Sequence, residues 1–359
     1  MPTSDRTNLL DLPITDLAAA LGDDADTPFR SRQIAEWIHD RRAGSFAEMT
    51  NLPRELRERL DERFSIAKPA ITQRTEPAED GSVKYLFELS DGSMIEAVYI
   101  PMRDRATICV SSQAGCAVGC TFCVTGFFGA GRNLRPSEIL GQIHDVQQDR
   151  ELSDDRTNIV FMGMGEPLMN MRSLSIVLES LERRISPRRI TVSTAGVIPG
   201  IRELATFARR PNLAVSLNAP NEARRRLIMP LTEKYPLREL MKTLREFPLE
   251  RGRRITLEYV LLAGWNDRDD DARLISRLVR GLPAKINLIP FNPDPRLPDW
   301  MRRPEDSSID RFARMLTDEG VAVTVRRSKG LEIAAACGQL KGRSEPRPQP
   351  DRGTTNRSR

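Results

Sequence analysis

The sequence predicts an α/β protein built on a partial (β/α)6 barrel, preceded by a small N-terminal helical accessory domain and a β-hairpin linker. Three observations carry this prediction. Short apolar runs alternate with charged amphipathic stretches from residue 105 onward, apolar residues recur with a period of two in residues 71–104, and helical patterns fill residues 1–70. About six or seven βα units are too few for a closed eight-stranded barrel. A doubly wound open sheet is the alternative.

The N-terminal domain, residues 1–70, is predicted from two amphipathic stretches. The first follows Pro28, and the second begins near Pro53, because proline favours the first turn of a helix. In residues 71–104, two alternating apolar runs flank the dipeptide Asp91-Gly92, which is typical of hairpin turns. We therefore expect a helical unit followed by a β-hairpin.

The barrel and a C-terminal cysteine segment are predicted over residues 105–342. The apolar runs that predict its strands are residues 107–110, 158–162, 190–193, 213–217, 255–262, 286–289 and 321–325. The charged stretches between them have the period of amphipathic helices. Residues 343–359 are rich in Pro, Arg, Ser and Gly, and we expect a disordered basic tail.

Composition limits the class of protein. Of the 359 residues, 39% are apolar and 29% are charged, and no apolar stretch approaches the ~18 residues of a membrane span. The N-terminus lacks the apolar core of a signal peptide. We expect a cytoplasmic protein with no membrane partner, monomeric by default. Five cysteines in a reducing compartment favour metal or redox chemistry over structural disulfides.

Net charge alone is weak evidence for a nucleic-acid partner. Residues 341–359 carry six Lys or Arg and two acids, so they account for +4 of the net +5. Four local arginine clusters are more informative: they are residues 183–189, 224–226, 251–254 and 326–329. Such clusters either contact phosphates or form solvated faces.

Three cysteines form the most specific motif of the chain. Cys116, Cys120 and Cys123 have the spacing Cys-x3-Cys-x2-Cys. Three thiolates can hold three irons of a [4Fe–4S] cluster and leave the fourth iron open to a small molecule, whereas electron-transfer clusters usually have four thiolates. Zinc is the alternative, but it needs a fourth ligand, and the two histidines, His39 and His144, lie outside this loop. The motif therefore predicts one [4Fe–4S] cluster, and it resembles that of the radical S-adenosylmethionine (SAM) enzymes.

Polar residues also interrupt the sequence where predicted strands end. The carboxyl ends of parallel strands meet at one mouth of a barrel, where function gathers. These candidates are Gly165 and Glu166 after the second strand, Ser193 at the end of the third, Ser216, Leu217 and Asn218 at the fourth, and Asn292 after the sixth. Each taken alone has a structural reading as a cap, a turn residue or a surface acid. Their common position predicts a cofactor pocket.

Three further residues have two readings each. Cys109, in the first barrel strand, and Cys337, near the end of the fold, are either small buried hydrophobes or reactive thiols near the mouth. Glu96 shares a strand face with apolar residues. A carboxylate in that position is either paired structurally or tuned for proton transfer.

Together these residues resemble the RlmN/Cfr family of radical SAM RNA methyltransferases. The resemblance runs in order from about residue 8 to 342 and includes the helical N-terminal unit. Besides the cysteine motif, the matching runs are CVSSQ at 109–113, GRNL at 131–134, MGMGEPL at 162–168, STAG at 193–196, SLNAP at 216–220, NLIPFNP at 287–293 and AACGQL at 335–340. It implies a radical SAM barrel with one [4Fe–4S] cluster.

The resemblance also implies a mechanism that uses two SAM molecules per turnover. One SAM methylates Cys337, and the other, on the open iron, is cleaved to a 5′-deoxyadenosyl radical that takes a hydrogen atom from the S-methyl group. The thiomethylene radical then adds to an adenine ring, and Cys109 resolves the adduct by forming a disulfide with Cys337. Glu96 matches the family's proton acceptor. The positions that match SAM ligands are Gly165, Glu166, Ser193, Ser216, Leu217, Asn218 and Asn292.

The substrates implied are adenosines of 23S rRNA, in the peptidyl-transferase loop, and of tRNA, 3′ of the anticodon, methylated at carbon 2. An electron donor such as flavodoxin or ferredoxin would reduce the cluster. A target base must be flipped or unstacked to enter a barrel. The alternatives are a Cfr-type enzyme that methylates carbon 8 of the rRNA adenosine and a non-catalytic iron–sulfur RNA-binding protein.

The chain departs from the family pattern at two places. Asn218 stands where many members have His, and its amide retains the ability to hydrogen-bond SAM. Leu331-Glu332 stands where many RlmN members have an Asp-Asp pair, so this segment bears on substrate selection. The basic tail lies outside the family core.

Overall fold

The chain folds around one large twisted sheet that a small helical unit joins at its N-terminal side. The structure, a computed structural model, describes residues 6–25, 27–326, 329–330, 333–335 and 338–340. The predicted tail, Leu331-Glu332 and Cys337 lie outside these residues.

The N-terminal unit is helical, as the sequence predicts. Its elements are β1 (Thr7–Asn8), α1 (Leu17–Leu21), α2 (Pro28–Ala35), α3 (Arg54–Arg63) and β2 (Phe64–Ser65), with β1 and β2 paired in parallel. The Thr27 side chain accepts a hydrogen bond from the Arg30 N–H and so caps α2, which continues as a π-helical turn over Glu36–Asp40. Pro53 directly precedes α3.

A ten-stranded sheet forms the rest of the framework. Its strands are β3 (Ala70–Arg74), β4 (Val83–Glu88), β5 (Met94–Pro101), β6 (Ala106–Cys109), β9 (Thr157–Phe161), β10 (Ile190–Thr194), β11 (Asn212–Ser216), β12 (Ile255–Leu261), β13 (Ala284–Pro290) and β14 (Ala322–Val325). They lie side by side in chain order, and the seven from β6 to β14 are parallel. Between β6 and β9, the short strands β7 (Gln113–Ala114) and β8 (Arg132–Asn133) form a separate antiparallel pair.

Helices cover one face of the parallel part. They are α4 (Pro136–Asp149), α5 (Met171–Glu182), α6 (Ile198–Ala205), α7 (Glu222–Ile228), α8 (Leu237–Glu246), α9 (Asp269–Val279) and α10 (Asp306–Asp318). In β12, Ile255, Leu257 and Tyr259 are buried toward these helices, while the residues between them point to the other, concave face. Within the described ranges β3 and β14 are the unpaired edges of the sheet, so the barrel is partial. No helix in those ranges combines the length and apolarity needed to cross a membrane.

The predicted hairpin forms, and it is part of a larger element. β4 and β5 pair on either side of Asp91-Gly92, where Gly92 has a φ of 78°. β3 adds a third antiparallel strand, and β5 pairs with β6, so the segment extends the barrel sheet at its first edge. The linker is therefore built into the barrel wall.

Polar contacts between buried and half-buried groups hold the N-terminal unit against α5 and the segment after α4. Asp154 accepts hydrogen bonds from both Arg42 and Arg184. His39, fully buried, lies with its Nδ1 2.9 Å from Ser180 Oγ on α5. Burial lowers the pKa of His39 to about 4, with the Arg183 charge adding to the shift, and burial also lowers the pKa of His144.

We expect the protein to lose stability as the pH falls from about 6.5 toward about 4. The folded state holds His39 neutral, whereas the unfolded chain takes up a proton below the ordinary histidine pKa, so acid favours unfolding. His39 alone should lower the free energy of unfolding by about 2 kcal/mol between pH 7 and pH 5. Urea unfolding at the two pH values measures this difference. His39→Gln should show a smaller pH dependence, and an unchanged dependence would contradict the assignment.

Candidate active site

One cavity of about 150 Å³ collects most of the residues that the sequence singles out. It lies at the carboxyl ends of β9 to β13, on the concave side of the sheet. The predicted residues that line it are Cys116, Cys120, Cys123, Gly165, Glu166, Ser193, Ser216, Asn218 and Asn292. Gly338, from the C-terminal segment, lines it as well. The structure thus brings together nine candidates spread over 177 positions of sequence at one mouth.

Backbone hydrogen bonds fix the cysteine loop at this mouth. The Cys116 N–H donates to Gly129 O at 2.8 Å, the Thr121 N–H to Ile228 O at 3.0 Å, and the Val124 N–H to Gly338 O at 2.7 Å. The loop is therefore tied to its own continuation, to the end of α7 and to the C-terminal segment.

The thiols fit a cluster better than a single ion. Burial raises the pKa of Cys116 to about 12 and also raises that of Cys120, with the neighbouring Cys123 adding to both shifts, so thiolates here need cations to neutralise them. Across the described ranges, no three His, Cys, Asp or Glu side chains are close enough to hold one metal ion. A [4Fe–4S] cluster binds each thiolate at a different iron, so its ligands need not converge on one point. The donor set therefore fits three irons of such a cluster.

Gly165 and Glu166 join the loops after β9 and β10. Gly165 has a φ of 97°, and a Cβ there would lie 2.5 Å from Gln113 Cβ, so only glycine fits. Glu166 is buried and accepts hydrogen bonds from the Leu168 N–H at 3.0 Å and the Ala195 N–H at 2.6 Å. Burial raises its pKa to about 7, against the effect of these donors. Each carboxylate oxygen thus has a backbone donor, and the Thr194 side chain adds a further hydrogen bond. Because an ionised carboxylate can accept about four hydrogen bonds, Glu166 retains acceptor capacity for a ligand.

The residues after β11 act in different ways. Asn218 has a φ of 56°, and its Oδ1 accepts the Val260 N–H at 2.9 Å while its side chain lines the cavity. Leu217 has a buried side chain that does not line the cavity, and its carbonyl accepts a hydrogen bond from Arg225 Nε at 3.3 Å. Leu217 therefore contributes backbone to this region.

Arg225 is a residue of this region that sequence reasoning missed. Its side chain is 1% exposed, and Nη2 donates to the carbonyls of Ala195 at 2.5 Å and Ser216 at 3.0 Å. Nη1 donates to Thr232 Oγ1 at 2.8 Å. The guanidinium thus joins the ends of β10 and β11. The signal in the sequence was the spacing of three residues between Arg225 and the apolar Ile228, which puts both on one side of α7.

Glu258 was also missed. It lines the cavity, and its Oε2 accepts a hydrogen bond from Ser193 Oγ at 3.2 Å. Burial raises its pKa, and the charge of Arg326 opposes the shift. The signal was the alternation in β12, in which Glu258 lies on the concave face between two positions that point to the helices.

Glu96 and Cys109, two further candidates, lie on β5 and β6 outside the cavity lining. Glu96 is buried on β5, with its Oε1 3.3 Å from Lys84 Nζ, and Lys84 also donates to Ala334 O at 3.3 Å. Cys109 is buried at the end of β6 and is in register with Val98 on β5. Neither lines the cavity. The described part of the C-terminal segment thus contacts both the surroundings of Glu96, through Ala334, and the cavity, through Gly338.

An open β/α barrel with three cysteines on the loop that follows its first strand defines the radical SAM class. The family model for the radical SAM superfamily matches residues 110–275, and that for the ribosomal RNA large subunit methyltransferase N-terminal domain matches residues 7–66. A solved radical SAM methyltransferase from Sphaerobacter thermophilus is similar, with a TM-score of 0.84 and 42% identity over 93% of this chain and 99% of that one. The fold is a radical SAM fold.

Two relatives identify the family. A dual-specificity RNA methyltransferase RlmN from Anaeromyxobacter dehalogenans is 46% identical, covering 95% of this chain and 94% of the relative. Another, from Geobacter sulfurreducens, is 49% identical over 88% of this chain and 86% of the relative. The chain belongs to the RlmN family of radical SAM RNA methyltransferases, so the prediction of an enzyme of this family is confirmed. Membership implies an iron–sulfur cluster and SAM.

Proposed function

We propose that this enzyme methylates carbon 2 of adenosine in 23S rRNA, at the peptidyl-transferase loop, and in tRNA, just 3′ of the anticodon. The observation that carries the proposal is the cavity in which the three cysteines, the strand-end polar residues and Gly338 of the C-terminal segment meet. Carbon 2 of adenine is not a nucleophile, so its methylation needs radical chemistry. The relatives named as dual-specificity RNA methyltransferases support both RNA classes.

Cys116, Cys120 and Cys123 would hold one [4Fe–4S] cluster, and two SAM molecules would be used in each turnover. When bound, the cluster and SAM supply a carbon radical that removes a hydrogen atom. Gly165 gives the ligand close access to the backbone, and Glu166 offers acceptor sites to an ammonium group. Ser193, Ser216, Asn218 and Asn292 supply polar groups along the cavity, and Leu217 supplies backbone. A flavodoxin or ferredoxin would provide the electron.

Cys337 would carry the methyl group as a thioether. Its neighbour Gly338 lines the cavity, which supports this role. Cys109 would attack the Cys337 sulfur, release the methylated base and form a disulfide. Glu96 would accept the proton that leaves the base, and its position near the C-terminal segment, through Lys84 and Ala334, agrees with that role.

The N-terminal unit would hold the RNA substrate of this cytoplasmic, monomeric enzyme. The match of residues 7–66 to the N-terminal domain of ribosomal RNA methyltransferases supports that role. The arginine clusters contribute less than the sequence suggests. Several of their members have acidic partners in the structure: Arg183 with Asp40, Arg184 with Asp154, Arg224 with Asp271, Arg226 with Glu222 and Arg253 with Glu250.

Mass spectrometry of nucleosides from separated 23S rRNA and tRNA tests the proposal. The host should lack its own enzyme and express this chain. We expect 2-methyladenosine in both RNA classes. 8-Methyladenosine in rRNA would instead establish the Cfr-type activity, and neither product, with an intact cluster, would support the non-catalytic alternative.

A further inference from the structure

Glu258 is a buried carboxylate in the cavity to which the proposed chemistry gives no role. It lies in register with Ser216 on β11 and with Asn287 on β13, so the three side chains share the concave face. Ser193, two strands away on β10, reaches Glu258 Oε2. The Asn287 side chain also acts on the carboxylate and lowers its pKa, but Glu258 Oε1 is buried and has no well-formed hydrogen bond in the part of the chain that the structure describes.

A buried carboxylate oxygen without a donor is costly, and native structures rarely keep one without a purpose. The positive charges of Arg326 and Lys285 stabilise the ionised form of this carboxylate. Both side chains line a second cavity of about 530 Å³ in the amino-end half of the barrel. Glu258 lines both cavities and so lies at their boundary. Its carboxylate therefore offers a hydrogen-bond acceptor to a ligand in the first cavity, which the three cysteines line.

We infer that Glu258 accepts hydrogen bonds from the vicinal ribose hydroxyls of SAM. The inference rests on the proposed function, because it requires SAM in this cavity. SAM carries three kinds of donor: its ammonium, its ribose hydroxyls and the amino group of adenine. In the radical SAM arrangement the deprotonated amino group and the carboxylate of SAM would bind the open iron, on the side of the three cysteines.

Different walls of the cavity suit the other two parts of SAM that carry donors, the adenine and the ribose. Ile289, Pro290 and Phe291 form an apolar surface that suits the flat face of adenine. Glu258, Ser193 and Ser216 form a polar surface that suits two adjacent hydroxyls, because serine hydroxyls donate and accept while the carboxylate accepts. Glu258 is therefore a positioning residue, holding the nucleoside end of the cofactor.

Binding measurements with S-adenosylhomocysteine and two analogues test the inference. Calorimetry on the cluster-loaded protein would compare the wild type with Glu258→Gln. We expect the variant to bind S-adenosylhomocysteine about tenfold more weakly, the usual cost of losing a hydrogen bond to a charged group. The 2′,3′-dideoxy analogue should bind equally to both proteins, because it has no hydroxyls to lose. The inosine analogue, which lacks the 6-amino group, should keep the tenfold difference.

Glu182→Gln is the matched control, because it makes the same chemical change at a carboxylate on α5 outside the cavity. It should bind all three ligands as the wild type does. Three results would overturn the inference. A tenfold loss of affinity that persists with the dideoxy analogue would show a purely structural role for Glu258, and a loss that vanishes only with the inosine analogue would assign Glu258 to adenine. Unchanged affinity of the variant for every ligand would show that Glu258 does not bind the cofactor. Failure of the wild type itself to bind would instead overturn the proposed function.

Discussion

Cys337→Ala is expected to abolish methyl transfer to RNA while the cluster and SAM binding persist. Alanine has no sulfur to carry the methyl group, so the radical has no S-methyl hydrogen to take and Cys109 has no sulfur to attack. The cluster ligands lie on a separate loop, which contacts this segment through the backbone hydrogen bond from the Val124 N–H to Gly338 O. Transfer of radiolabelled methyl groups from SAM to RNA, iron content and S-adenosylhomocysteine binding measure the three properties separately.

Cys123→Ala is the contrasting variant. It removes a proposed iron ligand and should lose the cluster, SAM binding and methylation together. Methylation that survives in Cys337→Ala would rule out the S-methylcysteine route. Loss of the cluster in that variant would mean that Cys337 acts as a ligand or supports the loop.

Arg225→Ala is expected to lower the stability of the protein and weaken SAM binding together. The substitution leaves the carbonyls of Ala195 and Ser216 without a donor in a buried place, and it opens a cavity beneath α7. We expect a loss of about 4 kcal/mol in the free energy of unfolding, or about 6 °C in the thermal midpoint. SAM binding should weaken at least tenfold, since Ala195 and Ser216 also line the cavity. Thermal unfolding followed by circular dichroism, with calorimetric titration of the ligand, measures both.

Arg226→Ala is the control next to it. Arg226 is exposed, and its acidic partner among the described residues is Glu222 on its own helix, so its loss should cost less than about 1 kcal/mol. Arg225→Lys separates charge from geometry, because lysine keeps the positive charge but cannot reach both carbonyls in a planar fork. Equal behaviour of Arg225→Ala and Arg226→Ala would contradict the bridging role.

The sequence predicted the parallel strands and the place where their polar ends meet. Both follow from local patterns: alternation marks a strand, and the topology of parallel strands brings Glu166, Ser193 and Asn292 to one edge. It did not predict that β3 to β5 extend the barrel sheet, because the alternation that indicates a strand does not show with which strand it pairs. Arg225 was missed for a related reason. Its run of arginines resembles a solvated face, and only the carbonyls it meets in the fold explain its burial.

The order of the strands has a consequence for how the molecule is made. Every strand of the large sheet lies beside its neighbours in the chain, from β3 at one edge to β14 at the other. Such a sheet can grow strand by strand as the polypeptide leaves the ribosome, because each new strand pairs with a strand of the sheet that has already been made. The cavity is completed later than the sheet. Gly338, which lines it beside the cysteines, comes after β14, so the pocket is completed only after every strand of the large sheet has been made.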